Sequence, residues 1–103
     1  MENERTIFAR VSRYDVEPAR MNDAIEGFRK ASEGLAELEG ALGGYLLVDA
    51  ASGKAITITL WESGAALEGS DARAARLRRQ AMEASGGSVQ AVERYEVPVE
   101  FRV

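Results

Sequence analysis

Between Lys54 and Glu62 the side chains alternate almost without interruption. Ile56, Ile58 and Leu60 fall on one side, Thr57, Thr59 and Trp61 on the other. A period of two marks an extended strand, whose successive side chains leave opposite faces of a sheet. A helix would scatter the same residues around its whole circumference. Residues 6–14 repeat the pattern, with Ile7, Ala9 and Val11 set against Phe8, Arg10, Ser12 and Tyr14. Each strand therefore has an aliphatic side and a side that mixes aromatic with hydrogen-bonding groups. Such a chain must fold around a sheet whose two faces have different surroundings.

The intervening segments follow another period. Glu17-Pro18 opens a helix, since proline at the first helical position gives up an N–H that would be unsatisfied there. Met21, Ile25, Phe28, Leu35 and Leu38 then recur at helical spacing while charges fill the opposite face. The spacing predicts a helix over 18–39 that stops at Gly40. Gly43-Gly44 leads into a short apolar strand at 45–48, and Gly53 suits the hairpin loop that follows. Past Ser63-Gly64, Ala65–Leu67 fit one helical turn. Ser70-Asp71 fits an N-cap for a helix carrying Ala74, Leu77, Ala81 and Met82, which Gly86-Gly87 ends. Val89–Phe101 reads as the last strand, with Pro98 restricting its end to an edge or a bend. The order β-α-β-β-α-β over residues 1–103, without linker or repeat, predicts one α+β domain. It is the ferredoxin-like arrangement: a four-stranded antiparallel sheet with two helices on one face. The aliphatic sides are expected to face the helices. That leaves Phe8, Arg10, Ser12, Tyr14, Thr57, Thr59 and Trp61 on the other face, joined by Tyr45 and Leu47 if the second strand keeps the same sense. An uncovered face of that composition lines either a ligand pocket or a homodimer interface.

Composition removes many chemistries. The chain has neither cysteine nor histidine. Thiolate nucleophiles, Ser-His-Asp triads, His-ligated haem and the usual zinc sites are therefore outside its reach. No metal site and no cofactor are expected. A net charge of −4 from 17 acidic and 13 basic residues is a poor match for nucleic acid or an anionic membrane. No apolar run approaches the ~18 residues of a membrane span. The polar start, Met1–Arg5, does not read as a secretion signal, so the expected compartment is the cytoplasm.

Thr57-Ile58-Thr59-Leu60-Trp61-Glu62-Ser63, followed by Leu67, Ser70-Asp71 and an Arg-rich helix, resembles the antibiotic biosynthesis monooxygenase (ABM) domain. The Glu17-Pro18 helix start and Gly43-Gly44-Tyr45 add to the resemblance, which spans nearly the whole chain. It implies a dimeric α/β barrel, in which two ferredoxin-like subunits pack sheet against sheet. Its members include cofactor-independent monooxygenases of anthrones and quinol monooxygenases. The anthrone-oxidising members use an Asn four residues before the Trp, the Trp, a Tyr six residues after it, and an Arg on the next helix. Here Trp61 and Arg78 match, Thr57 stands at the Asn position and Leu67 at the Tyr position. The haem-degrading branch needs an axial histidine that this chain lacks.

The implied activity is oxygenation of a small electron-rich aromatic, polyketide or quinol by O2, with Trp61, Arg78 and Thr57 as catalytic candidates. Phe8, Arg10, Tyr45, Thr59 and Leu67 are the substrate-binding candidates. Arg78 or Arg10 would hold an oxyanion, Trp61 and Tyr45 would stack on a ring, and the two threonines would hydrogen-bond a ring oxygen. Glu93 is a base candidate by strand parity alone, and the carboxylate that Arg10 would pair with if its role is structural. Tyr95, Val97, Val99 and Phe101 read as a dimer arm. The altered positions Thr57 and Leu67 motivate the alternative: a non-catalytic homodimer that binds a small molecule.

Overall fold

The computed structural model describes residues 6–103; the polar start Met1–Arg5 lies outside them. Strand β1 (Ile7–Asp15) runs into a 3-10 turn (Pro18–Arg20) and helix α1 (Met21–Ala36). Strands β2 (Ala41–Asp49) and β3 (Lys54–Trp61) form a hairpin. Helices α2 (Gly64–Gly69) and α3 (Asp71–Ser85) lead to strand β4 (Ser88–Val97). The sheet order is β2-β3-β1-β4, antiparallel throughout. This is the α+β ferredoxin-like arrangement that the element order predicts.

The boundaries differ from the sequence reading for local reasons. The first helix opens with a 3-10 turn, in which the Arg20 N–H donates to the Glu17 carbonyl at 2.8 Å. It ends at Ala36 rather than residue 39, where the chain tightens and Leu38 N–H donates to the Leu35 carbonyl at 3.1 Å. Strand β2 begins at Ala41, four residues early, because a register shift between Ala41 and Gly43 lets it stay paired with β3. Gly44 makes that pairing feasible: a Cβ there would sit 2.3 Å from the Ile58 carbonyl oxygen. Gly86 ends α3 at φ 70°, as its place in the sequence suggests. Strand β4 stops at Val97, one residue before Pro98, which has no N–H to continue the ladder.

The two faces of the sheet are exchanged relative to the sequence reading. The mixed set is the one the helices cover. The Tyr14 ring packs on Phe28 of α1 with centroids 4.8 Å apart, and Arg10 reaches the α2–α3 junction. The aliphatic side, with Ile7, Val11, Ile56 and Ile58 half-buried, is the bare one. Pairing puts Tyr45 beside Ile58, Leu47 beside Ile56 and Tyr95 beside Ala9, and these three are 63%, 47% and 48% exposed. Aliphatic content is a poor guide to which face is inside. Polar groups are tolerated under helices when they satisfy one another, as these largely do.

Close packing is concentrated at one end of the covered face. Tyr14, Val16 and Ala55 from the sheet side meet Met21, Ala24 and Phe28 of α1 and Ala81 and Met82 of α3. Towards the Trp61 end the space between sheet and helices is not filled.

Candidate functional site

A cavity of about 650 Å³ lies between the covered sheet face and helices α1 and α3. Strand β1 supplies Arg10, Ser12 and Tyr14 to its floor, and β3 supplies Thr57, Thr59 and Trp61. These six come from alternate positions of two paired strands, in which Arg10 sits opposite Thr59 and Ser12 opposite Thr57. Phe28, Ser32 and Leu35 of α1 and Ala74, Leu77 and Arg78 of α3 roof it. Leu42 and Gly43, both exposed, border it at the start of β2. The volume suits a molecule of a few fused rings.

The floor is a chain of hydrogen bonds. Trp61 is fully buried and donates from Nε1 to Thr59 Oγ1 at 3.0 Å. Thr59 accepts there and its hydroxyl donates to no described group, so its own proton is available to the cavity. The Tyr14 and Thr57 hydroxyls lie 3.1 Å apart; one donates to the other, which leaves one proton of the pair free. Ser12 is 1% exposed, and among the described residues its hydroxyl has no hydrogen-bond partner.

Arg10 anchors the far end and is 4% exposed. Its Nη2 donates to the Leu67 carbonyl at 3.0 Å, to Ser70 Oγ at 2.9 Å and to Asp71 Oδ1 at 2.5 Å. The guanidinium carbon stands 5.6 Å from the Trp61 ring centroid, within cation–π range. Nη1 is buried without a partner. Asp71 also accepts from Arg94, which pairs with Arg10 across β1 and β4. Burial pulls the Arg10 pKa below its ordinary value; Asp71 opposes this, and the charges of Arg78 and Arg94 add to it. Arginine stays protonated even so. Partial burial works to raise the Asp71 pKa, but hydrogen bonds from Arg10 and Arg94, aided by their charges, outweigh it and hold the carboxyl below the ordinary range.

Of the residues singled out in the sequence, Arg10, Thr57, Thr59, Trp61 and Arg78 all border this one cavity. Tyr45 touches its rim but is mainly exposed, and its pairing with Ile58 places it on the bare face. Phe8 does not line the cavity; its ring packs where α2 begins, 3.4 Å from the position of a Cβ on Gly64. Leu67 is buried outside the lining and contributes only its carbonyl oxygen, to Arg10. Glu93 does not pair with Arg10. It bonds Arg13 at 3.1 Å on the bare face, out of reach of the cavity, which removes it as a base. Ser70 does not cap α3 with its side chain, because α2 runs almost directly into α3 and leaves its hydroxyl to Arg10. Among the described residues no three acidic side chains converge as a bound metal ion would require. No described helix is long and apolar enough to cross a membrane.

Sequence reasoning put Ser12 and Tyr14 on this face but gave neither a role, and it left Asp71 and Arg94 out of the site. The first two were marked by the same period of two as Arg10. Asp71 and Arg94 had no such signal, since their approach to Arg10 depends on how α3 and β4 dock.

Similarity to solved structures places the architecture. The chain superposes on a candidate antibiotic biosynthesis monooxygenase from Bordetella bronchiseptica with a TM-score of 0.71, at 17% identity, covering 91% of this chain and 99% of that one. The fold is ABM-like. The cofactor-independent oxygenase SnoaB from Streptomyces nogalater matches at a TM-score of 0.67 and 14% identity, over 95% of this chain and 97% of that one. A candidate monooxygenase from Shewanella loihica matches at 0.66 and 22% identity, over 95% and 100% of the two chains. No protein-family model and no curated protein matches the sequence. Trp61 and Arg78 both border the one cavity, whereas Leu67 is buried outside its lining.

Proposed function

We propose that the chain is a cofactor-independent monooxygenase that acts with O2 on a small electron-rich aromatic, polyketide or quinol substrate, as a homodimer. One observation carries the reading: a largely apolar cavity of ring-accommodating size is lined by Arg10, Arg78 and the hydroxyls of Ser12, Thr57 and Thr59. The match in fold to SnoaB supports it.

In this mechanism the substrate supplies the electrons. An acidic C–H next to a carbonyl, or the O–H of its enol or phenol tautomer, loses its proton, and Arg78, helped by Arg10, stabilises the anion. The lining contains no carboxylate, so the proton leaves to water at the open rim beside Leu42 and Gly43. The anion passes one electron to O2, and the resulting radical and superoxide combine to a peroxide anion. That anion takes up a proton and loses water, leaving a carbonyl where a CH2 stood. One oxygen atom ends in the product and the other in water. Thr57, Thr59 and Ser12 hold ring oxygens, and the apolar roof keeps the reacting carbon dry.

The bare sheet face supports the dimer. Tyr45, Leu47 and Tyr95 stand exposed on it beside half-buried Ile56, Ile58 and Val11. A contiguous apolar surface of this kind is costly in water. Beyond Val97, Val99 and Phe101 are 77% and 82% exposed, apolar side chains that a dimer arm would bury in a second copy.

Oxygen uptake by the purified, metal-free protein over a panel of hydroquinones, anthrones and flavonols tests the activity. Uptake with at least one of them is expected, and Arg78→Gln should lower kcat/KM about a hundredfold, as loss of one oxyanion donor does. Binding without any uptake would leave the same cavity as a non-catalytic ligand site, the reading that Thr57 and Leu67 favour.

A further inference from the structure

Every ionisable group with a formal charge at the cavity wall is an arginine. Arg10, Arg29 and Arg78 border it, and no aspartate or glutamate does. In a chain of net charge −4, that distribution runs against the composition. Arg29 is neutralised by Glu26 at 3.1 Å on the exposed side of α1. Arg10 shares Asp71 with Arg94. Among the described residues Arg78 has neither an ion pair nor a hydrogen bond. Arg10 and Arg94 thus share one carboxylate, and Arg78, close enough to act on Arg10 electrostatically, adds a third positive charge. Two further groups at the same place lack partners: Arg10 Nη1, which is buried, and the hydroxyl of Ser12, a residue 1% exposed.

We propose that the cavity selects ligands that are already anions, namely flat aromatic molecules whose carboxylate or ionised phenol oxygen sits at Arg78 with Ser12 as a second donor. The half-buried Arg78 guanidinium, without a described partner, gains a charge-assisted hydrogen bond once an oxyanion accepts from it. An anion there also relieves the repulsion between Arg78 and Arg10, which adds to the effect of burial on Arg10. Neutral rings of the same shape gain only the apolar contacts. The inference rests on reading the cavity as a ligand site, and it does not require oxygen chemistry.

Equilibrium dialysis of the full chain against 2-naphthoate and 2-naphthamide tests it, since the two share a ring and differ in charge. At low salt the carboxylate should bind about tenfold tighter or more, the usual weight of a charge-assisted hydrogen bond. Arg78→Gln should bring the two affinities to near parity by weakening naphthoate alone, and Arg78→Lys should restore part of the preference. Circular dichroism establishes that the variants fold; Arg78 has no described partner to lose. Equal affinities in the wild type, no binding of either probe, or a preference untouched by Arg78→Gln would each overturn the proposal. Naphthoate selectivity without O2 uptake on any substrate removes the oxygenase reading and leaves this one standing. Uptake on neutral substrates with no charge preference does the reverse.

Discussion

At the scale of single residues, the group that most shapes this cavity is one outside its wall. Asp71 is the only carboxylate among the described residues that bonds the buried Arg10, and it holds Arg94 as well. Asp71→Asn removes the counter-charge and leaves a guanidinium desolvated. Breaking a fully buried pair costs roughly 3–5 kcal/mol. The side chain of Asp71 is 38% exposed, so solvent screens part of this and about 2 kcal/mol is expected by urea denaturation near neutral pH. The pH dependence has a definite sign. The folded pKa of Asp71 lies below its unfolded value, so its contribution is complete above the unfolded carboxylate value of about 4 and is lost as pH falls through the folded value. The stability gap between wild type and Asp71→Asn should therefore narrow below about pH 4. A gap that stays constant from neutral pH down to acid would show that charge is not what Asp71 contributes. The sequence marked Arg10 for a site by its setting among apolar residues. It gave no means of choosing Asp71 over Glu93, because both are acidic and only the docking of α3 decides between them.

At the scale of elements, two glycines show how local geometry opens or fills space. Gly44 lies where β2 presses on β3, and a methyl group there would meet the Ile58 carbonyl at 2.3 Å. Gly44→Ala should cost about 1–3 kcal/mol through overpacking and should disturb the cavity rim, so ligand affinity falls along with Tm. Gly69, at the end of α2, has open space around its would-be Cβ. Gly69→Ala should stabilise by roughly 0.5–1 kcal/mol, since alanine loses less backbone freedom in a helix. Thermal melts of the two variants should move in opposite directions; a shift of the same sign in both would contradict this account. The element order was legible throughout, because period two and period 3.6 are written in the residues themselves. The ends were less so. Where β2 starts depends on its pairing with β3, and where α1 stops depends on the tightening of the chain before Gly40.

At the scale of the whole molecule, the sheet divides two tasks between its faces. The covered face holds the cavity, and the bare face carries the aliphatic residues that the proposed dimer would cover. Ile58→Glu places a charge in the middle of the bare face while leaving the cavity floor, Thr57 and Thr59, unchanged. Sedimentation at micromolar concentration should show the wild type as a dimer near twice 11.2 kDa and Ile58→Glu as a monomer. A wild type that sediments as a monomer would refute the proposed assembly. If the cavity is built by one chain alone, the monomeric variant should still bind a cavity ligand; if the arm of a second copy closes its rim, affinity falls with the dimer.

The sequence alone determined the strand and helix order, the sheet class and the stripe Arg10, Thr57, Thr59 and Trp61, because alternation sorts side chains by face whatever surrounds the sheet. It also excluded thiol and imidazole chemistry, since those residues are missing. Only the tertiary structure decided which face the helices cover. Both faces are apolar enough to be buried, and the difference lies in hydrogen bonds such as Tyr14 to Thr57 and Trp61 to Thr59 that satisfy the polar one from within. Docking of α3 likewise decided that Arg10 meets Asp71 and that Arg78 is left without a partner among the described residues, for these are contacts between segments some sixty residues apart.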